Sequence, residues 1–554
     1  MNDPATRPRL ILFGIDGGTF DIIEPAVEAG QLPTIGRLMK EGSWRVLNSI
    51  VPPITGAAWP TIMTGVNPGK HGVFEFATLQ KDSYLTRMTS SADRKTLAIW
   101  QLLNQSGLRV GVLNVPITYP AEPLEGWMVS GMMGAPELNE SACYPTEIIA
   151  DISSATSDYP MLRRELVVGG EGTYRLDRLE QQVQSRAAAT LRLLRQHPVD
   201  VVIVVCSYTD HVQHLFWKKR SLTTPDGQQI EDMVLYAYQR ADEQLAELLA
   251  FCGEQTTTFI ISDHGFGPLE GGLNMDRFLL DSKLMVSKAD TVDVGNRGLG
   301  LVQWIRNRIP DRLLARLPRS WYRRSARVFQ SHRLGRIDWP QSRALNIGSY
   351  LGLRLNVKGR EPQGCIPEEE YEEQRNEIRQ FLDEFRHPFT DAPVFDVNFR
   401  EELYHGPYAS DAPDLTGLIG DGKIRLMRRP DPRGTHGFLT EEEVLRADGR
   451  SGLHQMNGIL IAGGPNLKPG RLPSEAQLVD VVPTVLYALG LPVPAYCDGQ
   501  VLTDMFAGEF VRANPTLQTE AEMHREARDT QEDVYSAEQE EQVKKRLRDL
   551  GYLD

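Results

Sequence analysis

An α/β fold, with a central and mostly parallel sheet covered by helices, is what this 554-residue sequence predicts. Two observations carry the prediction. Short β-branched apolar runs alternate with helix-length stretches, the pattern of successive βαβ units. Three of those runs also lead into carboxylates and imidazoles: Leu10 to Ile15 into Asp16, Val201 to Val205 into Asp210 and His214, and Thr258 to Ile261 into Asp263 and His264. Parallel strands buried on both faces read as continuous apolar runs, and ligands of open α/β sheets bind at the carboxyl ends of the strands. Three strands therefore deliver acids and histidines to one edge.

The elements follow in order. The strand at 9–15 is succeeded by a helix at 33–41, opened by Pro33, then a helix from Arg94 to Gln105 and a strand at 110–115. A long helix from about Leu179 to Arg195 precedes the strand near 201, and another from about Ile230 to Phe251 precedes the strand near 258. Gly458 to Gly464 reads as a late strand, followed by a helix from Ala476 to Leu489. Residues 1–280 and 344–510 are expected to form the catalytic body. Between them, 281–343 is an Arg-rich segment with Trp304, Trp321 and few acids, read as a helical insertion or lid. Interleaved Arg and Trp suit an anionic substrate or peripheral contact with membrane headgroups, beside the plainer reading of a solvated helical face. Residues 511–554 read as a charged helical tail that packs on the body.

Composition narrows the partners. A net charge of −14 and a pI near 5.4 argue against nucleic acid as the main partner, because phosphate backbones are bound by net basic surfaces. The polar start lacks the apolar region of a signal peptide, and no window approaches the roughly 20 apolar residues of a membrane span. Five cysteines, odd in number and far apart, suggest reduced thiols and a cytoplasmic setting.

Asp16, Asp210, His214, Asp263 and His264 are a donor set suited to zinc or manganese. His214 follows Asp210 by four residues, so one helical turn places both on one face. Asp263 and His264 are adjacent and converge only from an irregular segment, which Gly265 and Gly267-Pro268 are expected to supply as a turn. In Val51-Pro52-Pro53-Ile54-Thr55-Gly56-Ala57-Ala58-Trp59 the prolines and Gly56 force a turn at the start of a helix. Thr55 there is either an N-cap or a nucleophile held where a helix N-terminus favours phosphate; spacing leaves both readings standing.

Ile15-Asp16-Gly17-Gly18, the Thr55 to Gly72 segment, Asp210 to His214, Ser262-Asp263-His264-Gly265 and Gly452-Leu453-His454 occur in the order and spacing of the alkaline phosphatase superfamily. The chain most resembles its type I phosphodiesterase/nucleotide pyrophosphatase branch, including the prokaryotic phosphohydrolase/phosphomutase-like members, over about residues 9–505. The resemblance implies an alkaline phosphatase-like three-layer α/β/α sandwich and a hydrolase acting on phosphate esters of small or lipid-linked molecules. It implies two divalent ions, zinc as a rule and manganese in some branches. One would be held by Asp16, Asp263, His264 and the oxygen of Thr55, the other by Asp210, His214 and His454. Thr55 would then attack phosphorus and form a phosphothreonine intermediate.

Two departures accompany the likeness. The pyrophosphatases carry an Asn three residues after the nucleophile, where this chain has Ala58. His436, in Gly434-Thr435-His436-Gly437, also resembles the last ligand's motif; His454 is preferred because it lies directly before a core strand. Arg354, Lys358 and Arg360 are candidate phosphate contacts, balanced by the reading of an exposed basic strand. A phosphomutase or phosphomonoesterase is the competing enzyme. A sulfatase is disfavoured because Thr55 stands where sulfatases carry Cys or Ser. A non-catalytic binding protein with the inherited fold would be expected to have lost ligands, and every expected position here is filled.

Overall fold

The computed structural model describes residues 7–134, 138–156, 159, 167–168, 173–174, 176–224, 227–253, 255–288, 334–427, 437–524, 534–535 and 537–550. The main sheet is built in chain order from β1 (Leu10–Ile15), β2 (Ser43–Asn48), β3 (Val110–Leu113), β4 (Gly126–Val129), β5 (Cys143–Tyr144), β6 (Val201–Cys206), β7 (Thr257–Ile261) and β8 (Asn457–Gly463). Across the sheet they stand in the order β2-β8-β7-β1-β6-β3-β4-β5, with Gly470–Arg471 and Ala476–Gln477 as short strands beside β2. The five from β7 to β4 are parallel, Leu10 lying opposite both Val201 and Thr257. β8 runs antiparallel to its neighbours, Leu460 opposite Ile261 and Arg45. The fold is thus the expected α/β architecture with a mostly parallel sheet.

The continuous apolar runs arise because both faces of the sheet are covered. In β1 every residue is buried, Ile11, Phe13 and Ile15 entering one core and Leu10 and Leu12 the other. β6 divides in the same way, with Val202, Val204 and Cys206 against Val201, Ile203 and Val205. Helices Leu176–Gln196 and Met233–Cys252 cover the first face, while Thr55–Thr64 and Val481–Ala488 contribute to the second. The helix at Pro33–Glu41 forms where Pro33 predicts it, its first free amides received by the carboxylate of Asp242.

Three expectations are corrected. The helix placed from Arg94 begins only at Ile99, because Arg94 is buried in an ion pair with Glu122, 2.7 Å away, and cannot sit on a helix surface. The helix placed from Ala476 begins at Val481, after the strand Ala476–Gln477 and one 3₁₀ turn. β2 was not foreseen; its residues alternate between buried and half-buried and contain Arg45, whose charge interrupts the apolar run.

Beyond the main sheet, Ala344–Asn346, Leu351–Leu355, Leu415–Ile419 and Phe395–Phe399 form a four-stranded antiparallel sheet with its own apolar cluster, including Leu351, Leu353, Leu355, Val397 and Leu415. Most of the Arg-rich segment, 289–333, lies outside the described residues, and its flanks meet at a bridge between Ser287 and Ile337. In the tail, helix Ala537–Leu550 buries Val543 and Leu547 in the first core, and the Tyr535 ring stacks on Tyr119. Among the described residues no helix is long and apolar enough to cross a membrane.

Candidate metal centre

Asp16 directly follows the last residue of β1. Its N–H donates to the Cys206 carbonyl at 3.0 Å, and the left-handed backbone of Gly17 (φ 68°) turns the chain so that the Gly17 N–H reaches Asp263 Oδ1 at 3.2 Å. Asp210 stands in the first turn of helix Tyr208–Phe216, which begins immediately after β6, and His214 follows one turn later as its spacing requires. Asp263 and His264 occupy a bend after β7. The turn expected behind them is instead a short strand, Gly265–Pro268, which pairs with Gly452–Gln455 and sets Phe266 opposite His454. Because β8 runs antiparallel, the residues that precede it arrive at the carboxyl edge of β7. This brings His454 to Asp210 and His214.

All seven expected residues meet there and all are buried. His264 Nε2 lies 3.0 Å from Thr55 Oγ1, 3.3 Å from Asp263 Oδ2 and 3.7 Å from Asp16 Oδ1. Asp210 Oδ1 lies 3.1 Å from His454 Nε2 and 3.5 Å from His214 Nε2, and those two nitrogens are 3.1 Å apart. Two sets of three donors each gather their ligand atoms within 4.8 Å: Asp16, Asp263 and His264, and Asp210, His264 and His454. His436 lies outside the described residues. Thr55 is the first residue of helix Thr55–Thr64, whose N-cap is Ile54, so its hydroxyl is directed to His264 rather than to a cap.

The donor set fits divalent cations. Each imidazole has a carbonyl at its Nδ1, that of Gly452 for His214, Gly265 for His264 and Pro53 for His454, at 2.9 to 3.0 Å. Those bonds fix the Nδ1–H tautomer and leave every Nε2 lone pair facing inward, the outer-shell arrangement of metal-binding histidines. Two such lone pairs 3.1 Å apart repel unless a cation lies between them. Both oxygens of Asp16 and Oδ2 of Asp263 are buried without a hydrogen bond. Burial, reinforced by the charges of Asp263 and Asp210, raises the Asp16 carboxyl well above the usual range. Burial also lowers His214 and His264, and takes His454 down to about 4, so the three rings are neutral at ordinary pH.

Beside His214 and His454 opens a cleft walled by Ile419, Ile424, Leu426 and Leu453 and by Ser349, Tyr350 and Arg425. The sequence reading missed Tyr350 and Arg425, which come from the antiparallel sheet and from the strand Ile424–Met427 and lie in no motif; only the turn signal Gly348-Ser349 marks the former. Arg354 and Arg360 are instead spent on ion pairs with Glu361 and Asp414. Ala58 is fully buried in the second core and offers no donor. Trp59 and Tyr208 are core residues, Lys70 pairs with Asp498, and His71 is buried against Thr61.

Residues 10–439 match the family described as type I phosphodiesterase/nucleotide pyrophosphatase. Among curated proteins none matches the chain. Among solved structures, human ectonucleotide pyrophosphatase/phosphodiesterase 5 is similar, with a TM-score of 0.46 and 12% identity, the alignment covering 90% of this chain and 100% of that one.

Proposed function

Because this chain belongs to the type I phosphodiesterase/nucleotide pyrophosphatase family, and is thereby a hydrolase acting on phosphate esters, we propose that it cleaves a phosphodiester or nucleotide pyrophosphate-type bond by covalent catalysis at Thr55. The observation that carries this reading is the placement of Thr55 Oγ1 at a helix start, 3.0 Å from the Nε2 of His264, a member of both donor sets. Asp16, Asp263, His264 and Thr55 would hold one cation, and Asp210, His214 and His454 the other; three imidazoles among oxygen donors suit zinc, with manganese the second choice. Two such ions supply Lewis acidity, lowering the pKa of hydroxyl and water and neutralising charge on the phosphoryl group.

Thr55 Oγ1 forms the new bond to phosphorus as the bond to the leaving oxygen breaks opposite it, and the hydroxyl proton passes to water in the cleft. A water then attacks phosphorus, the Thr55 oxygen departs and the hydroxyl is restored. The cleft beside His214 and His454 would accept the remainder of the ester. Hydrolysis of bis-p-nitrophenyl phosphate, with zinc or manganese added, tests the proposal. Thr55→Ala is expected to lower kcat by roughly 10³-fold or more. Wild-type rates in that variant would refute it.

A further inference from the structure

Resting on that reading, we infer that Tyr350 is a further catalytic residue, its phenol donating a hydrogen bond to a non-bridging oxygen of the phosphoryl group in the cleft. Phosphoryl transfer develops negative charge on those oxygens, and a fixed donor aimed at them contributes more to the rate than to binding. The side chain three residues after Thr55 gives no help here, since position 58 is an alanine buried in the second core. Another wall of the cleft must supply one.

Tyr350 meets the requirement by its position. It lines the cleft together with His214 and His454, and its ring lies 6.1 Å from that of His454. A phenol is a hydrogen-bond donor at neutral pH.

The turn that carries Tyr350 is pinned. Glu75, downstream of the nucleophile's helix, accepts hydrogen bonds from the Ser349 N–H at 3.0 Å and from its hydroxyl at 3.3 Å. Gly348 has φ 98°, a backbone that favours glycine, and a Cβ there would stand 2.4 Å from Glu75 Oε2 and push the carboxylate aside. Glu75 is therefore a positioning residue: it ties the turn that carries Tyr350 to the segment that follows the nucleophile's helix.

The test is steady-state hydrolysis of bis-p-nitrophenyl phosphate by the full-length, zinc-supplemented protein, comparing wild type, Tyr350→Phe, Glu75→Gln and Thr55→Ala, with zinc content and urea midpoint measured for each. Tyr350→Phe keeps the ring and its packing. Its kcat is expected to fall about 100-fold with KM changed less than about threefold, zinc content and midpoint being unaltered. Glu75→Gln, which keeps one acceptor oxygen, is expected to lose about tenfold in kcat. A Tyr350→Phe variant with kcat within twofold of wild type, while Thr55→Ala is inactive, overturns the role of Tyr350 and leaves the proposed function standing. A KM effect alone also overturns it, reducing Tyr350 to a wall of the cleft. A wild type that turns over no ester overturns both.

Discussion

At the scale of single residues, burial does not by itself mark a histidine for the centre. His214, His264 and His454 present Nε2 to the centre, whereas His71 has both nitrogens committed to the fold: Nδ1 accepts from the Val73 N–H at 3.2 Å and Nε2 faces Thr61 Oγ1 at 2.9 Å. Burial, and then the positive charge of Arg94, lowers the His71 pKa to about 3. The unfolded chain takes up a proton at this residue below pH 6.5 and the folded one does not until about 3, so its contribution to stability is complete above 6.5 and is lost as the pH falls. At pH 5 the loss is about 2 kcal/mol. Urea midpoints at pH 7.5 and pH 5 are expected to differ less in His71→Gln than in wild type, and equal differences would contradict this assignment. The residues that converge on the centre were legible in the sequence because Asp-x-x-x-His and Ser-Asp-His-Gly are local patterns at strand ends. Tyr350 and Arg425 were not legible, since nothing local says that a distant sheet folds over that edge.

At the scale of elements, apolar runs disclosed the strands whose two faces are both covered, β1, β6 and β7, and the periodic helices between them. β2 escaped because its outer face is only half-buried and Arg45 breaks the pattern, and the start of helix Ile99–Gln105 was misplaced because Arg94 belongs to a buried polar network. In that network both Arg94 Nη2 contacts go to Glu122, at 2.7 and 2.8 Å, and the Trp100 indole N–H also donates to Glu122. The pair is almost wholly excluded from water, at 3% and 1% exposure. Removing one partner strands a buried charge, so Glu122→Ala is expected to cost about 3 to 5 kcal/mol by urea unfolding. The double replacement Arg94→Met with Glu122→Leu is expected to cost less than that single change. The reverse order would mean that the pair is not desolvated in solution.

At the scale of the whole molecule, carboxylates and imidazoles from positions 16, 210, 263 and 454 share one buried spot, and their mutual repulsion is relieved when cations bind. Ligands that bind only the folded state raise its stability, by about 2.7 kcal/mol for a site at 100 times its Kd. The melting temperature is therefore expected to fall on treatment with EDTA, to recover on adding zinc, and to recover less in His454→Ala; a temperature indifferent to EDTA and zinc would contradict a paired cation centre. The position of β8 has a further consequence, one of timing. It is the strand that joins β2 to β7, yet it is encoded nearly two hundred residues after β7, and the last imidazole lies just ahead of it. While the chain is being synthesised, β2 and β7 must wait with open edges until residue 463 has left the ribosome, and no shorter nascent chain owns a complete centre. Sheets closed by such distant segments form slowly, so the enzyme cannot act before nearly the whole polypeptide has been made.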